Sequence, residues 1–94
     1  MNEDGVKHLH KEVPDWVVAP DNKSISKRFS FIDFKRAMAF VNEVADLAEF
    51  EGHHPDIDIR WNKVLLTLST HAIKGLSEND FILASKINQI EQMK

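Results

Sequence analysis

With 94 residues, of which 43% are hydrophobic and 29% charged, the chain fits one small domain over 1–94 and is too apolar to be disordered. Its formal net charge of −3, from 12 basic and 15 acidic residues, provides no positive excess for binding a nucleic-acid backbone. The lack of cysteine excludes disulfides and thiolate chemistry, and a polar N-terminus without any run of about 18 apolar residues predicts a cytoplasmic protein that does not span a membrane.

The first third of the chain predicts a short helix and then a pair of strands. Residues 6–12 have the spacing for about two helical turns, which end before Pro14. A strand at 16–19, a turn at 20–23 and a strand at 24–31 follow. One side of the second strand carries Ile25, Phe29 and Phe31, and the other carries Ser24, Ser26, Arg28 and Ser30. This alternation predicts a hairpin with one face in water.

The strongest helical pattern follows Asp33, which is suited to be the N-cap. Apolar residues recur at helical spacing at Phe34, Ala37, Met38, Val41, Val44, Ala45 and Ala48. Gly52 is placed to end this helix. Phe40 and Leu47 fall off the stripe, which indicates either a second contact, such as a subunit interface, or a wide stripe within one core.

A second hairpin is predicted by the alternation after Gly52. Its apolar positions are Ile57, Ile59 and Trp61 on one strand and Val64, Leu66 and Leu68 on the other. A two-residue turn at 62–63 would place Trp61 opposite Val64 and would put all six residues on one face. The same register, extended, puts His71 opposite His54; Pro55 interrupts regular pairing, so we expect only proximity.

The last helix is predicted to begin at 77–80 and to continue to about Met93. Its apolar stripe comprises Leu83, Ala84, Ile87 and Ile90, and Ser77-x-x-Asp80 resembles a capping box. The element order predicts a single α+β domain, a four-stranded and mainly antiparallel sheet with helices packed on one face. Because such a sheet leaves edge strands and one face uncovered, we expect a homo-oligomer.

Three of the five histidines, His53, His54 and His71, lie at the ends of the second hairpin. Imidazole gains and loses a proton near neutral pH, so a cluster suits proton-transfer chemistry. The alternative is that these are loop residues hydrogen-bonded to backbone. A metal site completed by Asp80 or Glu49 is a third reading, although the spacing matches no metalloenzyme signature. From its position alone, Glu49 is interpreted as a solvated surface charge. Trp61 is interpreted as part of the apolar face of the second hairpin.

These residues resemble the signature of the pterin-4a-carbinolamine dehydratases, as Glu49-x3-His53-His54-Pro55-x5-Trp61-x9-His71-x8-Asp80. The stretches 66–71 and 75–80 are also similar to the family's TLSTH and GLSxxD segments, and 31–34 to its F-x-D-F helix entry. The resemblance extends over nearly all of the chain from about Pro14.

The resemblance implies the fold predicted above, assembly as a homodimer or homotetramer, and no metal or organic cofactor. It implies loss of water from 4a-hydroxytetrahydropterin to give quinonoid dihydropterin, which regenerates the cofactor of aromatic amino acid hydroxylases. His53 and His71 would then be catalytic, and His54, Asp80, Glu49 and Trp61 would serve pterin binding.

Two features depart from animal members of that family, namely the short first helix and Ile57, where an aromatic residue is common. The rival interpretation is a protein-binding module, because animal members also act as dimerisation cofactors for a transcription factor. Fold alone does not decide between these functions.

Overall fold

The computed structural model describes residues 1–92. Its helices are α1 (Glu3–His10), α2 (Phe34–Glu51) and α3 (Glu78–Gln92), and a 3₁₀ turn spans His71–Ile73. Its strands are β1 (Val17–Val18), β2 (Ile25–Ser30), β3 (Asp56–Arg60) and β4 (Lys63–Leu68). All neighbouring strands are antiparallel, in the order β1-β2-β4-β3. The predicted α+β fold is therefore confirmed, and Met93, where the last helix was expected to end, lies outside the described residues. Within 1–92, no helix has the length and apolar character needed to cross a membrane.

Side-chain and glycine caps fix both ends of α2 and the start of α1. The Asp33 side chain accepts a hydrogen bond from Arg36 N at 2.8 Å and starts α2 as predicted. Gly52 has a φ of 65° at the other end, a left-handed conformation that glycine adopts without steric cost. Helix α1 begins at Glu3 and not at residue 6, because Asn2 Oδ1 accepts from Gly5 N at 2.8 Å.

Strand β1 is shorter than the predicted 16–19. Trp16 N donates to the carbonyl of Val13 at 3.0 Å, so this residue belongs to a turn and not to the strand. Its indole is 1% exposed, and Nε1 donates to Asn88 Oδ1 at 2.9 Å. Trp16 therefore anchors the loop before β1 to α3.

The hydrophobic core lies between one face of the sheet and the helices. The sheet supplies Ile25, Phe29, Val64, Leu66 and Leu68, and helices α2 and α3 supply Ala37, Phe40, Val41, Val44, Phe81, Leu83, Ala84 and Ile87. On the other face, alternate residues of β2 such as Arg28 and Ser30 are exposed. One face of the sheet is therefore covered and the other is open, as predicted.

Phe40 belongs to this core and is completely buried. Its ring lies 4.8 Å from that of Phe29 and 5.0 Å from that of Phe31, measured between centroids. Two residues assigned to the predicted α2 stripe, Phe34 and Ala45, are exposed instead. The apolar face of α2 is therefore centred closer to Phe40 than the sequence indicated, and the wide single stripe is the correct alternative.

The register of the second hairpin differs from the prediction by two positions. Arg60 pairs with Lys63 and Ile59 with Val64, so the turn is Trp61-Asn62 and not 62–63. Trp61 has a φ of 50° and is 67% exposed, so its predicted place on the apolar face is wrong. The turn is held to β2 by Asn62, whose Nδ2 donates to the carbonyl of Phe31 at 2.8 Å.

A lysine on the covered face of β2 links the sheet to α3. Lys27 Nζ lies 2.5 Å from Asp15 Oδ2 and 3.1 Å from both Glu91 Oε1 and Asn88 Oδ1. It also sits 4.8 Å from the centroid of the Phe29 ring. Partial burial opposes the charge on Lys27, but the bonds and charges of Asp15 and Glu91 outweigh it and raise the lysine pKa above its usual value.

We expect this cluster to make stability depend on pH at both extremes. Burial opposes ionisation of Asp15, but the hydrogen bond and charge of Lys27 outweigh it, so the carboxyl pKa lies below its usual 3.8. A lowered carboxyl pKa gives stability that is present above 3.8 and lost as the pH falls through the folded value. The raised pKa of Lys27 gives stability that is lost as the pH rises above 10.5 and through the folded value.

Urea unfolding of the wild-type protein and of Lys27→Met at several pH values measures this dependence. Because Asp15 is about half exposed, we expect the acid-side difference to be about 1 kcal/mol or less. Parallel pH profiles for the two proteins would show that the cluster does not couple protonation to folding.

Candidate functional site

The residues at the open end of the second hairpin, opposite its turn, form a cleft. Because β3 and β4 are antiparallel, the residues before β3 and those after β4 lie at the same end of the hairpin. The cleft has a volume of about 410 Å³ and is lined by Gly52, His53, His54, Pro55, Asp56, Ser69, Thr70, His71 and Ala72. The structure thus brings together the three histidines that the sequence placed near one another, although β4 ends at Leu68 and His71 is not paired across the hairpin.

The end of α2 directs His53 into this cleft. The left-handed conformation of Gly52 turns the chain out of the helix, and His53 N donates to the carbonyl of Ala48 at 3.1 Å. This backbone bond satisfies a carbonyl of the last helical turn. The position of His53 is therefore fixed by the helix end and not by a free loop.

His53 pairs with a buried carboxylate. Its Nε2 lies 2.5 Å from Oδ1 of Asp80, and Asp80 is completely buried. The other oxygen, Oδ2, accepts from Thr70 Oγ1 at 2.9 Å and from Ser77 N at 3.0 Å. The Ser77 contact is the carboxylate half of the predicted capping box, whereas the Ser77 hydroxyl contacts Thr70 Oγ1 and Asp80 N donates to the Ser77 carbonyl.

His54 has a carboxylate partner of a different kind. Its Nε2 is hydrogen-bonded to Glu49 Oε2, but the two side chains are 60% and 78% exposed. Water competes for both groups, so this pair holds its geometry less firmly than the buried one. Glu49 is nevertheless more than an isolated surface charge, because it faces the imidazole of His54.

His71 is the first residue of the 3₁₀ turn and is exposed. The turn is closed by two backbone bonds, from Thr70 N to Gly75 O at 2.7 Å and from Gly75 N to Thr70 O at 3.3 Å. No hydrogen bond to the His71 ring is present among residues 1–92. Its imidazole is therefore accessible to a ligand in the cleft.

Trp61, which the family signature includes, lies away from the three histidines. It occupies the turn at the opposite end of β3, and a five-residue strand spans about 16 Å. Within one chain, Trp61 therefore does not line the cleft. Ile57, in the first part of β3, is closer to the histidine end and is 38% exposed.

The hydroxyl contacts beside the cleft were not found by sequence analysis. Thr70 and Ser77 bond the Asp80 carboxylate, and their hydroxyl oxygens are 2.6 Å apart. The capping-box spacing signalled the backbone contact of Ser77 only. The contact of Thr70 depends on the 3₁₀ turn, which no residue pattern predicted.

The arrangement suits proton transfer to a small polar ligand. Two imidazoles are each paired with one carboxylate, and a third is exposed at the same cleft. Paired in this way, an imidazole can take up a proton while the carboxylate stabilises the resulting cation. Among the described residues, no three histidine, aspartate or glutamate side chains are grouped so as to hold a metal ion.

Comparison with known proteins identifies relatives over almost the whole chain. Residues 1–90 match the family model described as Pterin 4 alpha carbinolamine dehydratase. A Xanthomonas campestris protein named "Putative pterin-4-alpha-carbinolamine dehydratase" is 41% identical over 90 residues, which cover 96% of this chain and 76% of the relative. Pterin-4-alpha-carbinolamine dehydratase 2, mitochondrial, from Arabidopsis thaliana is 44% identical over 94 residues, covering 97% of this chain and 50% of that protein.

Two solved structures have the same fold. The transcriptional coactivator/pterin dehydratase from Brucella melitensis superposes with a TM-score of 0.89 at 31% identity, covering 96% of each chain. A pterin dehydratase-like protein described as a RuBisCO assembly factor in the alpha-carboxysome gives a TM-score of 0.70 at 25% identity, covering 81% of this chain and 88% of that one.

Proposed function

The chain belongs to the Pterin 4 alpha carbinolamine dehydratase family, and from that premise we propose that it dehydrates 4a-hydroxytetrahydropterin to quinonoid dihydropterin by histidine acid-base catalysis. The reaction would serve tetrahydropterin recycling beside an aromatic amino acid hydroxylase, with no added cofactor. The observation that carries this proposal is the meeting of His53, His54 and His71 at one cleft, with His53 anchored on the buried Asp80. A cytoplasmic location stays a prediction.

The reaction requires one base and one acid. A base removes the proton from N5, the electrons of that N–H bond form the C4a=N5 double bond, and the C4a–O bond breaks. An acid protonates the departing hydroxyl, so that water leaves. Imidazoles perform both steps near neutral pH, and we assign proton transfer to His53 and His71.

The remaining site residues have supporting roles in this proposal. His54 binds and orients the pterin, with Glu49 holding its ring, and Asp80 holds His53. Trp61 is left out, because it lies at the far end of β3 from the cleft of its own chain.

A direct assay tests the proposed function. The full chain is added to freshly generated 4a-hydroxytetrahydropterin, and formation of quinonoid dihydropterin is followed against the spontaneous reaction in buffer. We expect clear acceleration by the wild-type protein and none beyond background by a variant with both His53 and His71 replaced by alanine. Equal rates with and without wild-type protein would reject the proposal.

A protein-binding role is the second candidate, since the names of two structural relatives describe a coactivator and an assembly factor. Such a role would resemble that of a dimerisation cofactor without essential catalysis. It does not require an imidazole bonded to a fully buried carboxylate beside an open cleft, and this pair is why we favour catalysis.

We also propose that the protein forms a homodimer or homotetramer. Strand β3 is an edge of the sheet, it contains no proline, and Ile57 on its covered side is partly exposed. Light scattering at micromolar concentration should give a mass of at least twice the 10.8 kDa of one chain. A mass of one chain at all concentrations would contradict this.

His54→Ala is expected to raise KM more than it lowers kcat. A contact that orients the pterin equally in the ground state and the transition state contributes to binding and not to the chemical step. Steady-state kinetics of the variant measure both constants. A large fall in kcat with unchanged KM would instead place His54 among the groups that transfer protons.

A further inference from the structure

The buried carboxylate of Asp80 is surrounded by partly buried hydrogen-bond donors. Oδ2 receives the backbone N–H of Ser77 at 3.0 Å and contacts the hydroxyl of Thr70 at 2.9 Å. The hydroxyl of Thr70 is in turn 2.6 Å from that of Ser77. Asp80 itself is completely shielded from solvent, and no buried side-chain nitrogen or oxygen of the described residues lacks a partner.

The number of available protons sets the direction of these bonds. A backbone N–H only donates, so Oδ2 accepts from Ser77. The single hydroxyl proton of Thr70 points to Oδ2, which leaves the Thr70 oxygen to accept the proton of the Ser77 hydroxyl. Both donors act on one carboxylate oxygen, and such bonds are strongest when the acceptor is charged. This relay therefore holds the carboxylate in place, with Oδ1 directed at His53.

The carboxylate contact determines which nitrogen of His53 carries the proton. Oδ1 then acts only as an acceptor, so Nε2 of His53, 2.5 Å away, must be the donor. In the neutral ring the lone pair is consequently on Nδ1. No hydrogen bond to Nδ1 is present among residues 1–92, and the His53 side chain is 17% exposed at the cleft.

We infer that Thr70 and Ser77 are positioning residues whose hydroxyl relay keeps the His53 proton on Nε2, making Nδ1 the base of the reaction. This inference rests on the proposed function. Nδ1 takes the proton from N5, the N–H electron pair becomes the C4a=N5 bond, and the hydroxyl leaves as water with a proton from an acid, for which His71 is the candidate. Asp80 then stabilises the imidazolium of His53 without becoming protonated.

The proton position on His53 is measurable without turnover. Nitrogen-15 NMR of histidine-labelled full-length protein at about pH 8 distinguishes a protonated from an unprotonated ring nitrogen. We expect His53 to be protonated on Nε2 in the wild-type protein. Thr70→Val and Ser77→Ala should each increase the fraction protonated on Nδ1, lower kcat about tenfold and displace the pH-rate profile.

Matched variants separate positioning from a loss of structure. Thr70→Ser retains the hydroxyl and should restore the wild-type signals and rate. Thr67→Val replaces threonine with valine three residues earlier, on the open face of β4, and should change neither the His53 signals nor the rate. Melting temperatures of all variants identify any that unfold. If Ser77→Ala weakens the start of α3, Thr70→Val still tests the inference, because valine keeps the shape of the threonine side chain.

The two possible failures are distinguishable. Wild-type His53 protonated on Nδ1, or a proton position and pH-rate profile unchanged in Thr70→Val and Ser77→Ala, would overturn the inference even in a fully active enzyme. The expected proton position in a protein with no dehydratase activity would overturn the proposed function, and the assignment of His53 as base with it.

Discussion

Replacing either His53 or His71 with alanine is expected to lower kcat by ~10²–10⁴-fold, which corresponds to about 3 to 5 kcal/mol of transition-state stabilisation. The reason is that one imidazole must receive the N5 proton while another group protonates the departing hydroxyl. Single-turnover and steady-state measurements on each variant would determine the loss.

The double variant is expected to lose clearly less than the sum of the two single losses. Groups that serve one bond-breaking step act as a unit. Once the first group has been replaced, most of their joint contribution to kcat is already lost, so replacing the second lowers kcat little further. If both single variants retained nearly full kcat as folded proteins, acid-base catalysis by these histidines would be wrong. Strictly additive losses would indicate that they act in separate steps.

Stability must be measured for the His53 variant in particular. His71 is exposed, but His53 is bonded to the buried Asp80, so His53→Ala leaves a carboxylate oxygen without its partner. We expect a loss of about 1–3 kcal/mol in the free energy of unfolding from this cause. His53→Gln, whose amide can donate to Asp80, provides a second variant in which the fold is supported and the base is absent.

Phe40→Ala is expected to lower the free energy of unfolding by about 3–5 kcal/mol, because the buried ring is replaced by a cavity. Phe40 is completely buried and its ring packs against those of Phe29 and Phe31. A small domain has a total stability of only about 5–15 kcal/mol, so much of it would be lost. Urea unfolding monitored by circular dichroism measures the change.

Phe50→Ala is the matched control, since Phe50 lies in the same helix but is 84% exposed. We expect its effect to be within about 0.5 kcal/mol. A small effect for Phe40→Ala would contradict the packing of this ring in the core of one chain. Similar losses for both variants would mean that burial within one chain does not explain the contribution of Phe40.

Local patterns were sufficient to predict the elements whose ends are marked by caps. Asp33 and Gly52 bracket α2, and both ends were found. The hairpin register was not predictable, because a shift of two positions keeps every side chain on the same face and so leaves the hydrophobic pattern unchanged. At a first turn position with positive φ, turn rules favour glycine and not tryptophan. They therefore did not indicate that Trp61, with its φ of 50°, is the first residue of the turn.

The convergence of the histidines was predictable for a topological reason, but the contacts around them were not. An antiparallel pair of strands brings residues 53–54 and residue 71 to the same end of the hairpin, whatever its register. The bonds from Thr70 and Ser77 to Asp80 depend on a turn that has no periodic signature. Likewise, the alternation places Lys27 on the covered face of β2 with Ile25 and Phe29, but the partners that stabilise its charge there are distant in sequence.

The strand order also has a consequence for the path of folding. The central pair of the sheet joins β2 to β4, with Ile25 opposite Leu68, whereas β3 and β4 are neighbours along the chain. A chain emerging from the ribosome therefore presents β1, β2 and α2 before the strand that closes the sheet exists, and a two-stranded hairpin alone is only marginally stable. Folding is expected to wait for β4, and the cleft, which also needs residues 70–80, is expected to form last.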